Sequence, residues 1–160
     1  MKLGIISDTH SRLAPQVHTL FCGVDAIIHA GDIGSDDIFV ELQTIAPVIA
    51  VRGNMDRHGP VSLYHEFVVT TFFDGISFFI VHDLGTPTVI KKHLLSLIRK
   101  YAPHIVVFGH THKPYIRYIG GILYFNPGSA TSGRSGTSES VGLIETGNSP
   151  IHTTIIPLGK

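Results

Sequence analysis

The polar and apolar positions of this chain fall into short apolar runs that break off at glycine, aspartate or histidine. Lys2 to Ser7, Ala26 to Ala30 and Pro47 to Val51 each read as a buried strand, because their apolar residues are nearly continuous and too few for a helix. Arg12 to Phe21 reads as a helix between the first two. Asp36 to Ile45 reads as a second, with Ile38, Leu42 and Ile45 at helical spacing beneath the acids Asp36, Asp37 and Glu41, which suit a helix N-terminus. Alternating strand and helix predicts parallel strands, whose carboxyl ends gather functional groups.

The second half changes pattern. Glu66 to Phe73 and Ile76 to Val81 flank Asp74-Gly75, a favoured hairpin turn. Pro87 to Tyr101 reads as the clearest helix, with Val89, Ile90, Leu94, Leu97 and Ile98 on one face and Pro103 ending it. A buried strand follows at Ile105 to Phe108. Tyr115 to Ile119 and Ile122 to Phe125 flank Gly120-Gly121, and Val141 to Glu145 and Ile151 to Ile156 flank Gly147-Asn148. Between these hairpins, the Ser/Thr/Gly-rich stretch up to Ser140 reads as a loop. Repeated hairpins favour two packed sheets with helices outside over a single open sheet.

Composition narrows the classes. A chain of 160 residues is expected to form one domain, residues 1–160, with a core that needs neither disulfide nor structural metal. Twelve basic residues balance twelve acidic ones without a basic block, which argues against a specific nucleic-acid binder. Cys22 is the only cysteine, so no intrachain disulfide can form. No apolar stretch is long enough for a membrane span or a signal-peptide core. A cytoplasmic protein is expected, with a homo-oligomer left open.

Histidine is over-represented, with 11 residues, and the strand ends use it. The first strand ends in Asp8-Thr9-His10, the second in Gly31-Asp32, the third in Gly53-Asn54-Met55-Asp56. The hairpin strand ends in His82-Asp83, and the strand after Pro103 in Gly109-His110-Thr111-His112. In extended backbone His110 and His112 would aim at one point, and Asp8 reads equally as the cap of the following helix. Together Asp8, His10, Asp32, Asn54, His82, His110 and His112 form an all-nitrogen-and-oxygen set without cysteine. Such a set suits Mn, Fe, Zn, Ni or Co, and it is too large for one tetrahedral zinc. Two divalent ions sharing a carboxylate satisfy it economically.

In this order, Asp8-x-His10, Gly31-Asp32, Gly53-Asn54, His82 and Gly109-His110-Thr111-His112 resemble the calcineurin-like metallophosphoesterase superfamily. The Gly-Asn-x-Asp form and Asn126-Pro127-Gly128-Ser129 resemble its small archaeal and bacterial phosphodiesterase subfamily, which is related to Vps29. The resemblance implies an α/β (α+β) fold, a four-layer β-sandwich flanked by helices. It implies that Asp8, His10, Asp32 and His112 hold one metal and Asp32, Asn54, His82 and His110 the other, with Mn the leading identity. The implied reaction is hydrolysis of a small or activated phosphodiester by a hydroxide held between two ions. A Vps29-like scaffold and a phosphomonoesterase are the alternatives.

Three positions depart from the family pattern. Met55 stands where many members carry a leaving-group histidine, which makes nearby His58 a candidate acid. Asp83 replaces a usual glycine, and could orient a metal ligand or merely sit on the loop. Ser11 replaces another glycine at the expected helix start. Arg134, in the polar loop, is a candidate for binding a substrate phosphate or a partner carboxylate, and reads equally as a solvated loop arginine.

Overall fold

The computed structural model describes residues 1–56, 66–133, 136–147 and 150–159. The first sheet takes β1 (Lys2–Ile6), β2 (Ala26–His29), β3 (Val48–Ala50), β11 (Ser140–Glu145) and β12 (His152–Pro157), in the order β12-β11-β1-β2-β3. The second takes β4 (Val68–Phe73), β5 (Ile76–Val81), β8 (Ile105–Val107), β9 (Tyr115–Ile119) and β10 (Ile122–Asn126), in the order β4-β5-β8-β10-β9. Each sheet has a parallel core, β1-β2-β3 and β5-β8-β10, and antiparallel outer strands. A small ribbon joins β6 (Gly85–Thr86) to β7 (Val89–Ile90).

Alternation within each apolar run explains the layering. Leu3, Ile5 and Ile28 face the space between the sheets, where they meet Phe78, Ile80, Ile105, Val107 and Phe125. Their neighbours Ile6 and Ile27 face the other way, against α1 (Gln16–Leu20) and α2 (Asp36–Gln43), through Val17, Phe21, Ile38 and Leu42. Phe79, Val81, Val106 and Phe108 likewise face α3 (Lys92–Tyr101), through Leu94 and Ile98. A strand buried on both faces needs apolar residues at every position, which is why these runs lack polar alternation. The result is the expected four layers, with two sheets inside and helices outside. Among the described residues no helix is long and apolar enough to cross a membrane.

Two helices are shorter than their sequence patterns suggest. The stretch from Arg12 becomes helical only at Gln16, with Pro15 at its N-cap, so Asp8 caps nothing. Ser11 therefore precedes the helix and takes a left-handed φ of 63°, the conformation that explains why glycine suits this position. The stretch from Pro87 forms a ribbon first and turns helical at Lys92. Val89 is accordingly exposed instead of lying on the buried face of the helix.

Candidate metal centre

Five parallel strands, β1, β2 and β3 from one sheet and β5 and β8 from the other, deliver the seven sequence-predicted ligands to one end of the sandwich. Asp8, His112 and His10 form one group and Asp8, Asp32 and His82 another, each with ligand atoms within 4.8 Å of one another. In the first, His112 Nε2 lies 3.0 Å and His10 Nε2 3.9 Å from Asp8 Oδ1, and the two imidazole nitrogens are 3.5 Å apart. In the second, His82 Nε2 lies 3.3 Å from Asp32 Oδ2 and 3.1 Å from Asn54 Oδ1. His110 Nδ1 lies 2.8 Å from the same Asn54 oxygen. The groups adjoin: His82 Nε2 is 4.0 Å from Asp8 Oδ1.

The backbone is bent to reach this arrangement. Asp8, His10, Asp32, His110 and His112 all have φ between 45° and 67°, the left-handed region. For non-glycine residues that conformation costs of order 1–3 kcal/mol each, and Asp and His tolerate it better than most. It also corrects the extended reading of His110 and His112. With φ of 67° and 57° the two rings diverge, His110 toward Asn54 and His112 toward Asp8. Small residues make room for the ligands. A Cβ on Gly53 would lie 2.0 Å from Asp32 Oδ1, and one on Gly109 would lie 2.0 Å from Ser7 Oγ and 2.9 Å from Asp8 Oδ2.

Neighbouring groups aim the ligands. His82 Nδ1 donates to Ala30 O at 2.7 Å and His112 Nδ1 to Ser132 O at 2.8 Å, which leaves Nε2 of each ring facing the cluster. Ser7 Oγ and the His110 N–H both donate to Asp8 Oδ2. Ser129 and Thr131 hydroxyls hold the Asp8 carbonyl, and Asn126 Nδ2 donates to Gly109 O at 2.9 Å. Ser7 and Ala30 lie within two residues of Asp8 and Asp32, whereas Asn126, Ser129, Thr131 and Ser132 lie 17 or more residues from the groups they hold, and only Asn126 and Ser129 stood within a recognisable motif. Asp56, also in a motif, accepts three backbone N–H groups and is a brace instead of a ligand.

Electrostatics couples the groups. Burial works to raise the Asp8 carboxyl, but the His112 and His82 rings and the Ser7 hydroxyl outweigh it and hold it below the usual carboxylate range. Asp32 is lowered in the same way, with burial opposed chiefly by His82 and the Met55 N–H. For His82, burial acts downward, but Asp32 and Asp8 raise its affinity for a proton overall. Burial would also raise Asp83, yet its Lys91 partner and the Gly85 N–H bring it below the usual range. Asp83 Oδ2 stands 3.7 Å from His110 Nε2, so the carboxylate that replaces the usual glycine faces a predicted ligand.

One atom tests whether a cation fits. Asp8 Oδ1 is buried and accepts no hydrogen bond from any described residue. His112 Nε2 reaches it at ion-pair distance without hydrogen-bond alignment. A buried carboxylate oxygen without a donor carries a desolvation penalty that a cation removes. Imidazole nitrogens and carboxylate oxygens converging there form the donor set of a divalent transition ion. Among the sequence candidates, His58 and Arg134 lie outside the described residues.

Comparison with known proteins agrees with this geometry. Residues 1–149 match the family model of the calcineurin-like phosphoesterase superfamily domain. The chain belongs to that superfamily. A probable metallophosphoesterase of Methanothermobacter thermautotrophicus is 35% identical, over 99% of this chain and 94% of its own length. A solved archaeal phosphodiesterase superposes with a TM-score of 0.77 at 25% identity, covering 98% of this chain and all of that one. Vps29 of Chaetomium thermophilum shares the fold, with a TM-score of 0.83 at 16% identity over all of this chain and 87% of that one. Membership places the chain among the metal-dependent phosphoester hydrolases.

Proposed function

We propose that the protein is a binuclear metal-dependent phosphodiesterase acting on a small or activated phosphodiester. Asp8, His10, Asp32 and His112 would hold one divalent ion and Asp32, Asn54, His82 and His110 the other, with Asp32 shared. The observation that carries this reading is the buried, donorless Asp8 Oδ1 facing Nε2 of His112, His10 and His82. Manganese is the leading identity, and the donor set also suits Fe, Zn, Ni or Co. Two such ions supply Lewis acidity toward phosphate oxygens and activate a water for in-line attack.

The chain's own residues do the rest. The Ala30 and Ser132 carbonyls fix the rings of His82 and His112 so that each presents one nitrogen without rotation. Asn54 contributes a neutral oxygen between His82 and His110. Met55, which follows it and is 64% exposed, cannot protonate a leaving group. Either another acid, His58 being the candidate, protonates the leaving group, or the substrate carries a group that departs as a weakly basic anion; the second reading favours an activated diester. The similar archaeal protein described as a phosphodiesterase supports a diester over a monoester. A Vps29 of Entamoeba histolytica has been solved in complex with zinc, so hydrolysis, and not metal binding alone, separates this reading from a Vps29-like scaffold.

The test is hydrolysis of a bis-aryl phosphate before and after chelation, together with metal analysis of Asp32→Ala and His110→Ala. Loss of activity on chelation and in both variants is expected. Full activity in both variants would overturn the assigned site, and faster hydrolysis of an aryl monoester would favour the phosphomonoesterase reading.

A further inference from the structure

Beside the candidate centre, a cavity of about 760 Å³ opens between the segments after β3 and β5, the start of β4, and α3. Its floor is shared with the centre, because Asn54 and His82 line both. Phe67, Val68, Val81, Leu94 and Leu97 form an apolar wall, and Asp56, Asp83 and His93 also line it. The two strong cations on its border are engaged, Lys91 with Asp83 and Arg52 with the ring of Phe67, whose centroid lies 3.6 Å from the guanidinium carbon. The volume falls in the range of small-molecule sites, roughly 300–1,000 Å³.

Phe67 is the telling residue. It lines the cavity while 61% exposed, and Arg52 stacks on it at 3.6 Å. Against the five apolar side chains the hydroxyls of a sugar would be stranded without partners. A flat ring meets no such penalty and gains from contact with Phe67.

We infer that this cavity is the subsite for an aryl or heteroaryl substituent of the phosphodiester, with the phosphate on the floor at Asn54 and His82. The inference rests on the metal-centre reading proposed above. It also agrees with the chemistry of Met55. As the water oxygen bonds to phosphorus, the P–O(aryl) bond breaks, the aryl oxide takes the electron pair, and the proton of the water passes to solvent. An aryl oxide is a weak enough base to leave without an acid.

Two phosphonates with the same anion separate the cavity from the centre. Calorimetric titration of the metal-loaded protein is expected to show phenylphosphonate binding about tenfold more tightly than methylphosphonate, from burial of the ring. In Phe67→Ala the preference of phenylphosphonate over methylphosphonate is expected to fall to within about twofold. Because Phe67 is exposed, this variant should fold as the parent does. Methylphosphonate bound without any phenyl preference would overturn the subsite and leave the metal centre standing. So would a preference undiminished in Phe67→Ala. Failure of the protein to take up metal or bind either phosphonate would overturn the centre and the subsite with it.

Discussion

Replacing Asp56 by alanine is expected to lower stability by about 3–5 kcal/mol and to loosen the centre without touching a ligand. The Asp56 carboxylate is 2% exposed and accepts the N–H groups of Gly53 at 2.8 Å, Gly34 at 2.9 Å and Ile33 at 3.1 Å. Ile33 and Gly34 follow Asp32, and Gly53 precedes Asn54, so one side chain ties together the backbones of two predicted ligands. Alanine would leave the Ile33 and Gly53 N–H groups buried without an acceptor, at about 1–3 kcal/mol each. The Gly34 bond is only part-buried, and water can replace it at smaller cost. With a urea dependence near 2 kcal/mol per molar, the midpoint should fall by about 1.5–2.5 M. Ligand-orienting groups of this kind typically change metal affinity about 10- to 100-fold. Urea unfolding in chelator followed by circular dichroism, with a separate calorimetric manganese titration, measures both effects. A midpoint shift below about 0.5 M together with unchanged metal affinity would refute the brace.

Other outcomes follow from the same geometry. His110→Ala and His112→Ala should each lose a different ion by metal analysis, and loss of the same ion from both would contradict the division of the two groups. Metal affinity should rise with pH through the elevated His82 range, because the proton held by Asp32 and Asp8 must leave before Nε2 can bind; a pH-independent titration would argue against His82 as a ligand. In chelator the sign reverses for stability. The His82 contribution is full below the ordinary histidine range and fades as pH rises through its elevated value, whereas the Asp8 and Asp32 contributions fade as pH falls through their lowered values. Thermal melts across pH with and without metal test both signs. Gly142→Ala should destabilise by about 1–3 kcal/mol, because the added Cβ would lie 2.5 Å from the buried Phe125 ring; an unchanged melting temperature would show that the ring can move aside.

Much of the fold was legible because the physics is local. Runs such as Ile76 to Val81 and Ile105 to Phe108 announce strands covered on both faces, and Asp74-Gly75 does turn a hairpin, with φ of 55° and 79°. The helix starts were not legible, since Arg12 and Pro87 open segments whose apolar spacing suits a helix but whose backbone is spent on the Ser11 bend and the β6-β7 ribbon. At the site, the residues that the structure gathers at one end of the sandwich could be read, in order, from the strand ends. Ring direction could not, because it depends on left-handed backbone at His110 and His112 and on carbonyls from Ala30 and Ser132. Ser7, a short hydroxyl at the end of a strand, gave no sign that it would donate to Asp8.

The division of ligands between the sheets connects stability to chemistry. Asp8, His10, Asp32 and Asn54 come from the sheet built on β1, β2 and β3, while His82, His110 and His112 come from the sheet built on β5 and β8. Each metal group takes members from both. Both groups depend on the packing of Leu3, Ile5 and Ile28 against Phe78, Ile80 and Val107, so the inter-sheet core sets the spacing of the predicted ligands. An ion bound there would join the two sheets at one end and stabilise the folded chain by about 2.7 kcal/mol at a free-ion concentration one hundred times Kd. Weakening the packing between the sheets should therefore lower metal affinity even where the substituted residue lies far from every ligand.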